Sequence, residues 1–151
     1  LKNQVMTNVF QLSYEIRLSK WHRLRESLTC ADTYTRCVEI DKWWQAAPVV
    51  AHYLHIKDVK SWPGPWELLS DNEYCDVARA LGMCYTLYLI GVKGVEMVEA
   101  RDHQGNDVIL VLVNNAKYVL NYWPDTVVNN KLNDFDIISG IDIQPLLEKL
   151  N

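Results

Sequence analysis

The sequence predicts an α+β protein in which helices come first and an antiparallel β-meander follows. Three observations predict it. Between residues 73 and 89 apolar side chains recur at spacings of three and four, the period of a helix. Beyond Gly91 and Gly94 the period falls to two, and short turns separate three apolar runs that end at Tyr122. The 151 residues contain no repeat, low-complexity stretch or linker, so one domain spanning 1–151 is expected.

The elements follow in order. Val9 to Trp21 partly alternates, with Tyr14, Ile16 and Leu18 against Glu15, Arg17 and Ser19. A strand and a helix fit it almost equally. Asp32 is an N-cap, and Tyr34, Val38 and Trp44 follow on a helical stripe that ends before Pro48. Tyr53 to Lys60 is polar and reads as a loop or a single helical turn. Ser61-Trp62-Pro63-Gly64-Pro65-Trp66 is a forced turn, because its prolines fix φ. Pro63 and Pro65 set the chain's entry to the next helix, and Trp66 is expected to pack beneath that helix. Trp66-Glu67-Leu68-Leu69 forms one or two helical turns.

Asp71 or Asn72 then caps a helix from about Glu73 to Leu89. Its stripe is Val77, Ala78, Leu81, Cys84, Tyr85, Tyr88 and Leu89. Asp76 and Arg79 lie off that stripe, so one wide face is buried. Val95 to Ala100 alternates, His103-Gln104-Gly105-Asn106 turns, and Val108 to Val113 is apolar enough to be covered on both sides. Asn114-Asn115-Ala116 turns again, and Lys117 to Tyr122 is the third strand. Asp125 to Asn133 reads as loop, Phe135 to Ile143 alternates weakly, and Pro145 opens a short helix. Residues 1–60 form an N-terminal helical region, 61–124 the core, and 125–151 a C-terminal extension.

Composition narrows the function. Net charge is −4, which does not suit neutralisation of nucleic-acid phosphates. No apolar run approaches the ~18 residues of a membrane span. The opening residues LKNQVMTNVF lack a secretory pattern, so the chain is expected in the cytoplasm when synthesised, or within an assembly. Cys30, Cys37, Cys75 and Cys84 form no C-x-x-C pair and are expected to be reduced thiols. His52, His55 and Asp58 share a helical spacing, but no second pair completes a site, and His22 stands apart. No metal and no cofactor is expected. Six Trp and eight Tyr are many for one small core. Trp21, Trp43 and Trp44, with Arg17, Arg23 and Arg25, have the composition of an interface hot spot for a protein partner.

Cys75 lies at the start of the long helix, and strands follow. A helix N-terminus carries partial positive charge and free N–H groups, which stabilise a thiolate and an oxyanion. Trp62-Pro63-Gly64-Pro65-Trp66-Glu67-Leu68-Leu69 and Tyr74-Cys75-Asp76-Val77-Ala78-Arg79-Ala80 resemble the bacterial transglutaminase-like cysteine peptidases, of the papain-like superfamily. That family has W-x-x-P-x-E-x-L before a G-D-C-E-D-x-A helix start, then strands reading H-A-V-L and Y-V-L-D-N. Here those strands read Asp107-Val108-Ile109-Leu110 and Tyr118-Val119-Leu120-Asn121-Tyr122. The resemblance spans residues 60–124 and implies a transglutaminase-like core. More loosely, the chain also resembles small proteins of tailed bacteriophages.

The departures bear on activity. Cys75 matches the family nucleophile, Asp107 stands at the histidine position and Asn121 at the aspartate position. Glu73 and Tyr74 stand where the family has its glycine and aspartate. Asp71, Glu73 and Asp76 surround Cys75 with negative charge, which disfavours a thiolate. Without imidazole the thiol has no general base. The expectation is a degenerate, non-catalytic member acting as a structural or assembly module, with a tailed-phage virion as its setting. The alternative is an active cysteine hydrolase or acyltransferase that pairs Cys75 with His103.

Overall fold

Helix α1 (Tyr14–Ser27) resolves the ambiguous first segment in favour of a helix, capped by Ser13. The computed structural model describes residues 8–50, 53–123, 126–129 and 134–150. Arg17 explains why the apparent alternation misled. Its side chain is buried, and its guanidinium donates to the carbonyls of Phe10, Leu12, Leu69 and Asp71. A charged residue thus takes an inward position of the helix and ties its start to a distant loop. Helix α2 (Thr33–Gln45) begins as expected, with Asp32 Oδ1 accepting from Thr35 N at 2.7 Å.

A 3₁₀ turn, Val59–Ser61, leads into the short helix α3 (Pro65–Leu69), which has Pro65 in its first turn. The central helix α4 spans Asp76–Leu89. It starts later than the capping signal predicts, and its N-cap is Cys75 rather than Asp71 or Asn72. Tyr74 is the reason. It is held extended by a parallel bridge to Val49, donating its N–H to Pro48 O and accepting from Val50 N. Helical backbone cannot begin until that bridge has ended.

Helix α4 is also buried on more than one face. Val77 and Ala78, then every residue from Ala80 to Leu87, are buried. Gly82 shows how tightly α2 crosses it: a Cβ there would sit 2.6 Å from the Trp44 ring. Thr86, one turn on, accepts the indole N–H of both Trp21 and Trp44 at 3.0 Å. Trp21, Trp44 and Arg17 therefore belong to the interior, which corrects their assignment to an interface.

The strands are β1 (Glu96–Asp102), β2 (Asp107–Val113), β3 (Tyr118–Trp123), β4 (Thr126–Asn129) and β5 (Phe135–Ile141), followed by helix α5 (Gln144–Glu148). They form one antiparallel sheet in the order β4-β3-β2-β1-β5. Residues 126–129, expected as loop, are a strand paired with β3. The C-terminal segment supplies the strand at the other edge, beside β1. Met97, Ile109, Val111, Val113, Leu120 and Ile141 join α4 in the main core. Val98, Ala100, Leu110, Leu112, Val119 and Phe135 form a second cluster on the opposite sheet face.

Candidate functional site

The site is built where α4 starts beside β2 and β3. Cys75 caps α4, makes no side-chain capping bond, and has no solvent-exposed surface. Asp107 opens β2 with the same alternation as Ile109, Val111 and Val113, so it belongs to the face that meets α4. It is exposed there, and its Oδ1 accepts from Arg101 Nε at 2.9 Å across the β1–β2 ladder. Its carboxylate is committed to a surface ion pair.

Asn121 holds the third position through an irregularity of the backbone. Its φ is +65°, a region that Asn enters more readily than most residues. The β3–β4 register shifts around it. That break turns Asn121 to the helix side although Leu120 already faces that way, and Tyr122 packs on Phe135 across the other face. The Asn121 backbone N–H finds a replacement acceptor in Asp41 Oδ1 at 2.8 Å.

The Asn121 side chain acts as a donor. Its Nδ2 lies 3.0 Å from Asp76 Oδ1, 2.9 Å from Ile109 O and 3.3 Å from Asp76 O. Asp76 Oδ2 accepts from Ile109 N at 3.2 Å. Gln45 Nε2 approaches Asn121 Oδ1 and Asp41 Oδ1, and Arg79 donates to Gln45 Oε1 and to the carbonyls of Gln45 and Ala47. Burial lowers the Arg79 pKa, opposed by the charges of Asp76 and Asp41. The network locks the helix start to α2, β2 and β3.

Asp41, Gln45 and Arg79 were not singled out from sequence. The signal was present in Asp41, which falls on the apolar stripe Cys37, Ile40, Trp44 and is fully buried. An aspartate on such a stripe requires a partner inside the fold. On the outer side of Cys75, Tyr53, Asp71, Asn72 and Glu73 line a shallow cleft. Tyr53 donates to Glu73 O at 3.1 Å. Burial, then the charges of Asp71 and Cys75, push its phenol up to about 12. A phenol held neutral in this way is a poor base at physiological pH.

His103 lies in the β1–β2 turn, beside a cleft lined by Asp102, Gln104, Tyr122 and Asp134. Cys75 does not line it. Asp102 pairs with Phe135 and Tyr122 packs on Phe135, so this cleft opens on the sheet face away from α4. Among the metal considerations, His52 lies outside the described residues, and His22 sits near Glu26 at 3.3 Å on the surface of α1. Of the interface residues, Arg23 is exposed, Arg25 stacks on the Trp21 ring at 4.3 Å, and Trp43 is half-buried. Trp66 is 46% exposed, edge-on to Trp21, instead of lying beneath α4. Trp62 takes the buried place, donating Nε1 to His55 O at 2.9 Å.

Neither a protein-family model nor a curated protein matches the sequence. Among solved structures the chain is similar to calcium-bound LapG of Legionella pneumophila, with a TM-score of 0.73. The chain has a transglutaminase-like core. The likeness to LapG, a cysteine protease of the transglutaminase-like/papain-like fold, covers 93% of each chain. It holds at 11% sequence identity, so it concerns the fold.

Proposed function

We propose that this chain is a transglutaminase-like protein without catalytic activity, retained as a structural or assembly module that contacts other proteins. A tailed-phage particle is the setting that the sequence resemblance favours. The observation that carries the reading is the state of position 121. Cysteine acyl transfer needs an accessible thiolate, an imidazole to move the proton, and a carboxylate to orient the imidazole. Here Asn121 donates to a carboxylate instead of presenting one, and its donors are spent on Asp76 and Ile109. Asp107 accepts from Arg101, and Cys75 is enclosed. Asn121, Asp76, Gln45 and Arg79 bond to one another and to nearby backbone around the helix start, which is how a structural network is built.

The rival reading pairs Cys75 with His103. A general base must come within hydrogen-bond reach of the proton that it takes. The cleft beside His103 opens on the opposite face of the sheet from the one that α4 covers, which speaks against that pairing. Among the described residues no three His, Cys, Asp or Glu side chains gather as a metal site. Both Asp76 oxygens already accept, from Asn121 Nδ2 and Ile109 N.

The test is alkylation of the folded chain by iodoacetamide at pH 6, read by peptide mass mapping. Cys30 is exposed and reacts first, whereas Cys75 stays unmodified until the chain is unfolded. Rapid stoichiometric labelling of Cys75 that disappears in His103→Ala reverses the conclusion and favours the hydrolase.

A further inference from the structure

The chain that leads into Cys75, residues 69–74, is held in place by two other short segments. Residues 48–50 pair with Tyr74, and residues 8–12 reach it through Arg17 and Phe10. One terminal nitrogen of Arg17 donates to Phe10 O and Leu12 O, at 2.8 and 3.2 Å. The other donates to Leu69 O and Asp71 O, at 2.7 and 2.6 Å. The Phe10 ring packs 5.2 Å from the Tyr74 ring and 5.6 Å from that of Trp44. Tyr74 in turn donates its hydroxyl to Leu68 O and Asp71 O, so Asp71 O is shared by Arg17 and Tyr74. Asn8 anchors the far end, with Nδ2 donating to Ala46 O at 2.7 Å and Oδ1 accepting from Phe10 N.

These segments bury little surface of their own. Of residues 8–12 only Phe10 is buried, residues 70–73 are exposed or half-buried, and residues 48–50 are exposed. Segments of this kind open locally more readily than the core beneath them. The guanidinium makes their contacts interdependent. When residues 8–12 leave, one of its terminal nitrogens loses its acceptors inside the fold. A buried cation with unmet donors is costly, whereas the same group in water is not. The side chain then gains by turning outward, which withdraws its support from Leu69 and Asp71. Departure of Phe10 uncovers the Tyr74 ring in the same step. Tyr74 is the residue before Cys75, and its extended backbone fixes where α4 begins.

We propose that residues 8–12 are a latch on the chain entering α4. Their release frees residues 69–74 and bares Cys75, while α4 and the sheet stay folded. Exposure of the thiol then answers to any partner that captures the N-terminal segment. The proposal does not depend on whether Cys75 is catalytic.

The test uses the full chain carrying Phe10→Ala or Asn8→Ala, alkylated by iodoacetamide at pH 8 and mapped by peptide mass. The cysteines report separately. Cys30 is exposed and sets the intrinsic rate. Cys37 and Cys84 are buried in α2 and α4 and report unfolding of the core. Phe10→Ala should label Cys75 at least tenfold faster than wild type, and Asn8→Ala at least threefold, with Cys37 and Cys84 unchanged. Hydrogen exchange should show the bonded amides of Leu12, Val50 and Tyr74 accelerating together in both variants, while the amides of α4 keep their wild-type rates. The proposal is overturned if Cys75 keeps the wild-type rate in both variants, or if Cys37 and Cys84 are labelled along with it in both. Acceleration at Leu12 without Val50 and Tyr74 overturns it equally. Where Phe10→Ala unfolds the chain, Asn8→Ala decides alone. Dependence of Cys75 labelling on His103 bears on the hydrolase reading and dependence on Phe10 bears on the latch, so either can fail without the other.

Discussion

Placing at position 121 the aspartate of the motif that the sequence resembles should damage the protein. In Asn121→Asp the backbone can keep its bond to Asp41, but the side chain loses its donor. The native amide nitrogen lies 3.0 Å from Asp76 Oδ1 and 2.9 Å from Ile109 O. Both are acceptors, so an ionised aspartate faces oxygen in each direction. The site is 6% exposed, and water has little access to screen the contact. Loss of two buried hydrogen bonds costs about 2–3 kcal/mol, at ~1–1.5 kcal/mol for each. Carboxylate repulsion from Asp76 adds to this, giving roughly 3–5 kcal/mol when an unpaired buried charge is included. Protonation returns a donor, so the folded state binds the new proton more tightly than the unfolded state does. The folded pKa of the new aspartate lies above its unfolded value near ~3.9, and the loss grows as pH rises from there. Urea unfolding at pH 5 and pH 8 measures it: the variant should lie closer to wild type at pH 5. Equal midpoints for variant and wild type at pH 8 would refute the donor role of Asn121. With that role goes the argument that this position now serves structure. The double variant Asp107→His, Asn121→Asp should show no hydrolase activity, because Cys75 stays enclosed.

The remaining predictions concern the interior and the tryptophan turn. Thr86→Val removes the acceptor shared by the Trp21 and Trp44 indoles, and two buried N–H groups left unpaired cost about 2–4 kcal/mol. Thr86→Ser keeps the hydroxyl and should recover most of the difference in urea unfolding. Trp62→Ala should cost ~3–5 kcal/mol, as for other buried aromatics, whereas Trp66→Ala should stay within about 1 kcal/mol. A calorimetric comparison with the reverse ranking would mean that the two tryptophans exchange places.

Much of the fold was legible because local signals and tertiary demands agreed. The Asp32 cap, the long apolar stripe, the glycine stop and the period-two runs each predict an element that is present. The errors arise where a distant contact overrides local preference. Asp71 and Asn72 are good capping residues, yet Tyr74 pairs with Val49 and moves the helix start to Cys75. Residues 126–129 hold Thr126, Val127 and Val128, good strand formers, but their polar and Asn-rich neighbours hide that short run in the sequence, and it pairs with β3. Trp62 and Trp66 are chemically equivalent in sequence, and only the route of the forced turn decides which is buried. The first segment reads ambiguously because Arg17 is a buried cation whose two terminal nitrogens donate to four carbonyls, a pattern with no sequence period.

The site divides along the same line. The identities at positions 75, 107 and 121 could be read against the family motif, since each occupies one strand or helix start. What those residues do could not, because it depends on chain segments far away. Asn121 takes its meaning from Asp41, which lies eighty residues earlier, and from Asp76, which lies forty-five earlier. In a catalytic arrangement the third residue accepts a hydrogen bond and passes its influence to an imidazole. Here the third residue donates, and Asp76 passes the connection on to the backbone of β2. With its amide donating to Asp76 and Ile109, the side chain at position 121 fastens a helix start to a sheet. Under the proposed reading the architecture stands without catalysis, because the same helix start must still be held against the same two strands.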